Sequence, residues 1–123
     1  MSLLNRLSLS AGLLALALAI PAAAQTEQPL YIVTYIDVFP MFAADTAKAL
    51  TDFNTASSKD PGYVRIEVMR DVDRVNHFAV VEVWKTRKDY EAHLAQPHTK
   101  QFRDKIQPGL GSPFDERLYH VLK

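Results

Sequence analysis

The sequence contains no cysteine, little glycine and no excess of charge of either sign. Without cysteine, the chain has no disulfides, thiolate nucleophiles, cysteine-ligated zinc or iron–sulfur clusters. The 14 basic residues balance the 14 acidic ones, so the clustered positive charge that nucleic-acid binding requires is not indicated. No Gly-rich loop for a dinucleotide is present. The apolar run at residues 13–20 is too short for a membrane span, which needs about 20 residues.

The N-terminal segment has the three parts of a secretory signal. Arg6 and the amino terminus supply positive charge, residues 13–20 supply the apolar run, and Ala22–Ala24 provides the small residues that signal peptidase prefers. We therefore expect residues 1–24 to be a signal peptide and residues 25–123 to form one domain, located in the periplasm or secreted, without stable membrane insertion. An uncleaved anchor is the alternative.

The rest of the chain alternates between strand and helix patterns. The order is strand, helix, strand, strand, helix, strand, and Pro97 divides the second helix in two. The predicted strands are 30–38, 63–69, 77–84 and 117–122, and the predicted helices are 41–58, 86–96 and 98–107. This order predicts an α+β, ferredoxin-like β-α-β-β-α-β fold, in which helices cover one face of an antiparallel sheet.

The third predicted strand is apolar on both faces, which bears on assembly. A face open to water would carry polar residues at every second position. One face here has Phe78, Val80, Glu82 and Trp84, and the other has Ala79, Val81 and Val83. The helices of one subunit suffice for one face only. The sequence therefore predicts a homodimer in which a second copy covers the other face.

A cluster of aromatic, acidic and histidine positions follows that strand. The strand ends in Glu-x-Trp, and the helical region contains His-x-x-x-Pro-His followed by a phenylalanine; the residues concerned are Glu82, Trp84, Tyr90, His93, Pro97, His98 and Phe102. With the Asp60-Pro-Gly turn, this pattern resembles the antibiotic biosynthesis monooxygenase family over residues 30–122. The resemblance implies a dimeric α/β barrel of two ferredoxin-like halves. It also implies cofactor-independent oxidation of quinols or phenolic compounds by dioxygen.

Such a reaction needs a general base, hydrogen-bond donors for a phenolate and a dry aromatic pocket. His93 is the predicted catalytic base, because histidine titrates near neutral pH. Trp84 is the second predicted catalytic residue and would form the pocket. The other residues predicted to line the pocket are Phe78, Glu82, Thr34, Tyr90, His98 and Phe102. The structural alternatives are a Trp84 in the core, a structurally hydrogen-bonded His93, and a Glu82 paired with a cation such as Arg65.

Metal and haem sites have weaker support in the sequence. His93 and His98 lie five positions apart across Pro97, not at the four-residue helical spacing that places two imidazoles on one metal. No third ligand is evident, so we predict no metal and no cofactor. Haem-degrading relatives use an asparagine on the first strand, where this chain has Thr34 and Tyr35. Besides the monooxygenase, two readings stay open: a non-catalytic small-molecule binding protein and, with less support, a haem-degrading enzyme.

Overall fold

The computed structural model describes residues 27–123, so the expected signal peptide, 1–24, lies outside the described residues. The strands are β1 (Leu30–Asp37), β2 (Tyr63–Arg70), β3 (His77–Trp84) and β4 (Asp115–Tyr119), and the helices are α1 (Ala43–Ser57), α2 (Arg87–Leu94) and α3 (Pro97–Ile106). Short 3-10 helices at Pro40–Phe42 and Gln107–Gly109 precede α1 and follow α3. Among residues 27–123, no helix combines the length and the apolar character needed to cross a bilayer.

The four strands form one antiparallel sheet in the order β2-β3-β1-β4, which confirms the predicted ferredoxin-like fold. Strands β1 and β3 are central and pair along their whole length, from Leu30 opposite Trp84 to Asp37 opposite His77. An irregularity in β2 falls between Tyr63 and Arg65. Its effect is to bring the ring of Tyr63 edge-on against Trp84, with 5.8 Å between ring centroids.

Local signals in the sequence set the helix boundaries. Thr86 is the N-cap of α2, since its Oγ1 accepts a hydrogen bond from the backbone N–H of Asp89 at 3.0 Å. Pro97 is the first residue of α3, where a missing backbone N–H breaks no helical hydrogen bond. The division of the second helix at this proline is therefore confirmed. The two helices start ten positions apart, at Arg87 and Pro97, so the end of α2 lies against the beginning of α3.

The last strand differs from the prediction. Residues 117–122 were expected to form it, but β4 covers Asp115–Tyr119. Pairing explains the shift, because β4 aligns with β1 from Tyr35 opposite Asp115 to Tyr31 opposite Tyr119. As β1 begins only one residue before Tyr31, the chain beyond Tyr119 has little strand left to pair with.

The helices lie on one face of the sheet, and the core lies between them. From the strands it receives Leu30, Ile32, Ile36, Ile66, Phe78, Val80 and Trp84, and from the helices Ala49, Leu50, Phe53, Tyr90, Phe102 and Ile106. Their burial supplies the main favourable free energy of folding. This inner face of β3 is the one that carries Glu82 and Trp84 towards α2.

The opposite face of the sheet, which we call the outer face, is not covered by any helix of residues 27–123. Its centre consists of Tyr31, Val33, Tyr35, Ala79, Val81 and Val83, and charged residues such as Arg65, Glu67 and Arg117 lie towards the edge strands. Tyr35 is 47% exposed and Met69 is 43% exposed. An apolar centre with a charged margin agrees with the alternation read from the sequence.

Candidate functional site

The site begins at the end of β3, where two residues of the inner face contact each other. The side chain of Trp84 is fully buried, and its indole N–H donates a hydrogen bond of 2.9 Å to Glu82 Oε2. Arg65 cannot be the partner of Glu82, since it lies on the outer face and its guanidinium is 3.5 Å from Glu67. The expected Arg65 pair is therefore wrong, and the tryptophan holds the carboxyl group instead.

His93, in the last turn of α2, stacks on the indole of Trp84. The ring centroids are 4.4 Å apart and the planes are 27° from parallel. Phe53 of α1 lies 5.5 Å away. Only 1% of His93 is exposed, and this burial lowers the pKa of the imidazole, the nearby carboxylate of Asp60 acting in the opposite direction. At neutral pH His93 is therefore in the neutral form, which accepts a proton.

A carboxylate from the turn after α1 fixes the orientation of that imidazole. His93 Nδ1 lies 2.8 Å from Asp60 Oδ2, and His98 Nε2 lies 2.8 Å from the same oxygen. An ionised carboxylate only accepts hydrogen bonds, so both nitrogens carry their hydrogen here and donate it. For a neutral His93, this leaves the lone pair on Nε2, which lies 3.4 Å from the hydroxyl of the buried Thr99 and 3.6 Å from Glu82 Oε2.

Asp60, His93 and His98 also bring together three groups that can each donate one atom to a metal ion. Their ligand atoms all lie within 4.8 Å of one another. In the sequence no third ligand was evident beside the two histidines. In the structure, Asp60 takes that place. Asp60 was recognised in the sequence only as part of a turn, because a contact spanning 33 positions leaves no periodic signal.

Glu82 is an acid in a largely apolar environment. Burial raises its pKa to about 7, although the hydrogen bond from Trp84 acts in the opposite direction. A second, partly buried network lies close by, in which Tyr90 donates a hydrogen bond to Glu116 Oε1 and Arg103 donates one of 2.6 Å to Glu116 Oε2. Burial and the Glu116 carboxylate raise the pKa of Tyr90, so its phenol stays protonated.

A surface groove of about 240 Å³ lies between α1 and α3, and His93 is not among its lining residues. Phe53 and Phe102 form its aromatic floor, stacked with 4.5 Å between centroids. His98, which is partly exposed, belongs to its wall. The remaining lining residues are Ala49, Asp52, Ala56, Gln101 and Lys105. Since Phe53 contacts both the groove and His93, movement of its ring would connect the two.

Two of the predicted pocket residues are not part of this cluster. Phe78 shares its strand face with Trp84 but is six residues away, which is roughly 20 Å along a strand. It packs under the guanidinium of Arg70 at 5.3 Å, so the structure does not bring it to the site. Thr34 is buried on the inner face opposite Glu116, and within the described part of the chain its hydroxyl has no hydrogen-bond partner.

The other predicted residues do lie together. Trp84, Glu82 and His93 are in mutual contact, His98 is joined to His93 through Asp60, and Phe102 packs against Phe53 beside them. Tyr90 packs on both rings, with 6.5 Å between its centroid and that of Trp84 and 6.2 Å to that of His93. Sequence reasoning missed Asp60 and Phe53, which belong to the turn after α1 and to α1 itself.

Comparison with solved structures supports the fold. A proposed antibiotic biosynthesis monooxygenase from Nitrosomonas europaea is 24% identical, with a TM-score of 0.74 over 78% of this chain and 92% of that one. SnoaB, a cofactor-independent oxygenase from Streptomyces nogalater, is 18% identical, with a TM-score of 0.70 over 78% and 95% of the two chains. PA3566 from Pseudomonas aeruginosa is 18% identical, with a TM-score of 0.73 over 80% and 98%.

Sequence comparison gives the family itself. No curated protein is similar to the chain at a significant level. The family model for antibiotic biosynthesis monooxygenases matches residues 29–105, which include the inner face of β3, α2 and nearly all of α3. Members of this family act on small molecules and typically form dimers. The matched segment contains the whole Trp84–His93–Asp60 cluster, and the chain belongs to the antibiotic biosynthesis monooxygenase family.

Proposed function

We propose that the protein is an exported, cofactor-independent monooxygenase that oxidises a quinol or phenolic small molecule with dioxygen. The observation that carries this proposal is the position of His93. Its ring stacks on Trp84 at 4.4 Å, and its Nδ1 is held by Asp60 at 2.8 Å. A buried base with a fixed orientation and a lone pair on its second nitrogen, next to a flat aromatic surface, suits an aromatic substrate with an acidic hydroxyl.

The proposed reaction begins with transfer of the phenolic proton to His93 Nε2. The phenolate then gives one electron to dioxygen, forming a phenoxyl radical and superoxide. Recombination of these two species makes a carbon–oxygen bond, and the peroxide anion takes the proton back from the His93 imidazolium. Loss of water from the resulting hydroperoxide leaves a quinone. One oxygen atom enters the product, the other leaves as water, and the substrate supplies all the electrons, so the reaction needs no external reductant.

The surrounding residues have separate tasks in this scheme. Asp60 is a positioning residue, because it fixes the tautomer and favours the imidazolium that forms after proton transfer. Trp84 provides the surface on which an aromatic ring stacks. Phe53, Phe102 and the groove beside His98 form the proposed entrance, and the phenol of Tyr90 adds to the apolar wall.

Export and dimerisation complete the proposal. Residues 1–24 are proposed to be removed after Ala24, so the N-terminal residue of the secreted protein would be Gln25, found by intact-mass analysis. The outer face, with Val33, Val81 and Val83 at its centre, supports association of two copies through their sheets. A protein of this kind would oxidise quinols or phenols that are present outside the inner membrane.

Oxygen consumption with a panel of hydroquinones and phenols tests the function. Replacing His93 by alanine should lower turnover by about 10²–10⁴-fold, the usual contribution of a general base. Replacing Trp84 by phenylalanine should mainly raise KM. His120→Ala is the matched control, since this histidine is exposed at the end of the chain. Circular dichroism shows whether each variant is folded.

Each outcome of this panel has a definite meaning. Turnover of His93→Ala at the wild-type rate on the best substrate would refute the base assignment. If the wild-type protein binds a phenol tightly but consumes no oxygen with any compound, it is a binding protein. A Soret band that saturates at one haem per chain, together with haem loss under reducing conditions, would identify a haem-degrading enzyme instead.

A further inference from the structure

Three side chains from separate segments meet at the edge of the proposed active site, where two histidines contact the same carboxylate oxygen of an aspartate. Asp60 comes from the turn before β2, His93 from the end of α2 and His98 from the first turn of α3. Each histidine has a ring nitrogen 2.8 Å from Asp60 Oδ2. Two imidazole nitrogens and one carboxylate oxygen are the donors that Zn²⁺, Ni²⁺, Cu²⁺ and Fe²⁺ prefer in proteins. We propose that Asp60, His93 and His98 form a binding site for a divalent transition-metal ion.

Two of the three separations between donors are close to what an ion requires, and all the ligand atoms lie within 4.8 Å of one another. Bonds from zinc to nitrogen or oxygen are about 2.0–2.2 Å long, so neighbouring ligands of a tetrahedral ion lie roughly 3.3 Å apart. The separations of 2.8 Å between each histidine and Asp60 need to widen by only about half an ångström. Since His93 and Asp60 are almost wholly buried, both ligands are already ordered before an ion arrives.

The surroundings of His93 fit a metal ligand as well. A metal-bound histidine normally donates its second ring N–H to a carboxylate, which fixes the ring and increases its basicity. His93 would use Nδ1 for the ion, and its Nε2 faces Glu82 Oε2 at 3.6 Å. Trp84 holds Glu82 through a hydrogen bond of 2.9 Å, so this outer carboxylate is itself fixed.

The third ligand gives the site an open side. His98 is partly exposed and lines the groove whose floor is formed by Phe53 and Phe102. Three protein ligands with a fourth position open to solvent are typical of metal sites that exchange a water or an external ligand, whereas structural sites close all four positions with side chains. An ion here would therefore be accessible from the groove and removable by chelators.

Direct binding measurements test this site. They use the untagged protein after its metal has been removed with EDTA, and no substrate is added. Calorimetric titration with Zn²⁺ should give one ion per chain with a Kd in the micromolar range or below at pH 7.5. Titration with Co²⁺ should give the visible absorption bands of a four- or five-coordinate ion. Because no substrate is present, these results do not depend on whether the protein is an oxygenase.

Variants locate the ion. His98→Ala and Asp60→Asn should each weaken zinc binding by 100-fold or more, and His98 is the safer position because its partly exposed side chain contributes least to the core. Glu82→Gln should weaken binding by about 10-fold, as loss of an outer carboxylate does elsewhere. The matched controls His77→Ala and His120→Ala remove histidines outside the cluster and should leave the Kd unchanged.

Two results would overturn the proposal. One is the absence of Zn²⁺ and Co²⁺ binding at millimolar ion concentration, which would mean that Asp60 and the two histidines form a hydrogen-bonded cluster only. The other is equal affinity of wild type and His98→Ala, which would place the ion elsewhere. Failure of the oxygenase proposal would leave both results unaffected, since neither measurement involves turnover.

Discussion

The buried carboxyl of Glu82 should make the stability of the protein depend on pH in a defined direction. Burial raises its pKa from an ordinary value of 4.5 to about 7. A group with a raised pKa in the fold binds its proton more tightly there than in the unfolded chain. Its contribution to stability is therefore complete at low pH and is lost as the pH rises from 4.5 through 7.

The size of the effect follows from the same two values. A tenfold change in proton affinity is worth about 1.4 kcal/mol, so ionising Glu82 in the fold costs about 3 kcal/mol in total. Part of this is already lost at pH 5, where the unfolded chain is mostly ionised, and about 2.5 kcal/mol remains to be lost between pH 5 and pH 8. A small domain is stable by about 5–15 kcal/mol, so the change is large enough to measure.

Urea unfolding of the metal-free protein at pH 5 and pH 8 gives the required free energies, with Glu82→Gln as the comparison. The glutamine keeps an oxygen for the Trp84 N–H but has no charge to lose or gain. Relative to this variant, the wild-type protein should lose about 2.5 kcal/mol between the two pH values.

The matched control is Glu67→Gln on the outer face of the neighbouring strand. The side chain of Glu67 is 56% exposed, so the same substitution there should leave the pH profile parallel to that of the wild type. Parallel profiles for Glu82→Gln and the wild type would refute the reasoning. They would show that the carboxyl of Glu82 is as well solvated in the fold as in the unfolded chain.

Three further predictions concern the assembly, the turn and the ion. Val81→Lys should convert the proposed dimer into a monomer of half the mass by light scattering, because a lysine at the centre of the outer face would be buried there without a partner. Gly62→Ala should lower the free energy of unfolding by about 1–3 kcal/mol, because φ at this residue is +79° and an added Cβ would lie 2.2 Å from Asp89 Cγ. Gly111→Ala is the control, since a Cβ at that position would lie no nearer than 3.6 Å to another atom. Zn²⁺ added to EDTA-treated protein should lower its oxygen consumption, and excess EDTA should restore it.

The strands, the helices and the buried face of each strand could be predicted from the sequence, because they depend mainly on residues that are near one another in the chain. The alternation along 78–84 placed Glu82 and Trp84 on the buried face, and the structure confirms this arrangement. Thr86 and Pro97 signalled the helix starts through their own side-chain chemistry. The limits of β4 were less accessible, because the partner strand decides where pairing ends.

The composition of the site was accessible only in part. Phe78 was assigned to the pocket because it shares a face with Trp84, but a period of two gives the face and not the position along the strand. Asp60 escaped notice because its partners His93 and His98 are 33 and 38 positions away. Only the packing of the turn after α1 against α2 and α3 brings these groups together.

The two nitrogens of His93 link the proposed base to the proposed metal site and make the two states exclusive. A neutral imidazole has one lone pair. When Asp60 accepts the hydrogen of Nδ1, the lone pair is on Nε2 and a substrate proton has a place to go. When an ion takes Nδ1, the hydrogen moves to Nε2, which then donates towards Glu82 and no longer acts as a base. Asp60 takes part in both states, whereas His98 would ligate the ion directly but contacts His93 in the ion-free state only through Asp60. The turnover of His98→Ala, whatever its rate without zinc, should therefore be insensitive to Zn²⁺ at concentrations that inhibit the wild type. Equal inhibition of the variant and the wild type would show that the ion does not act through His93.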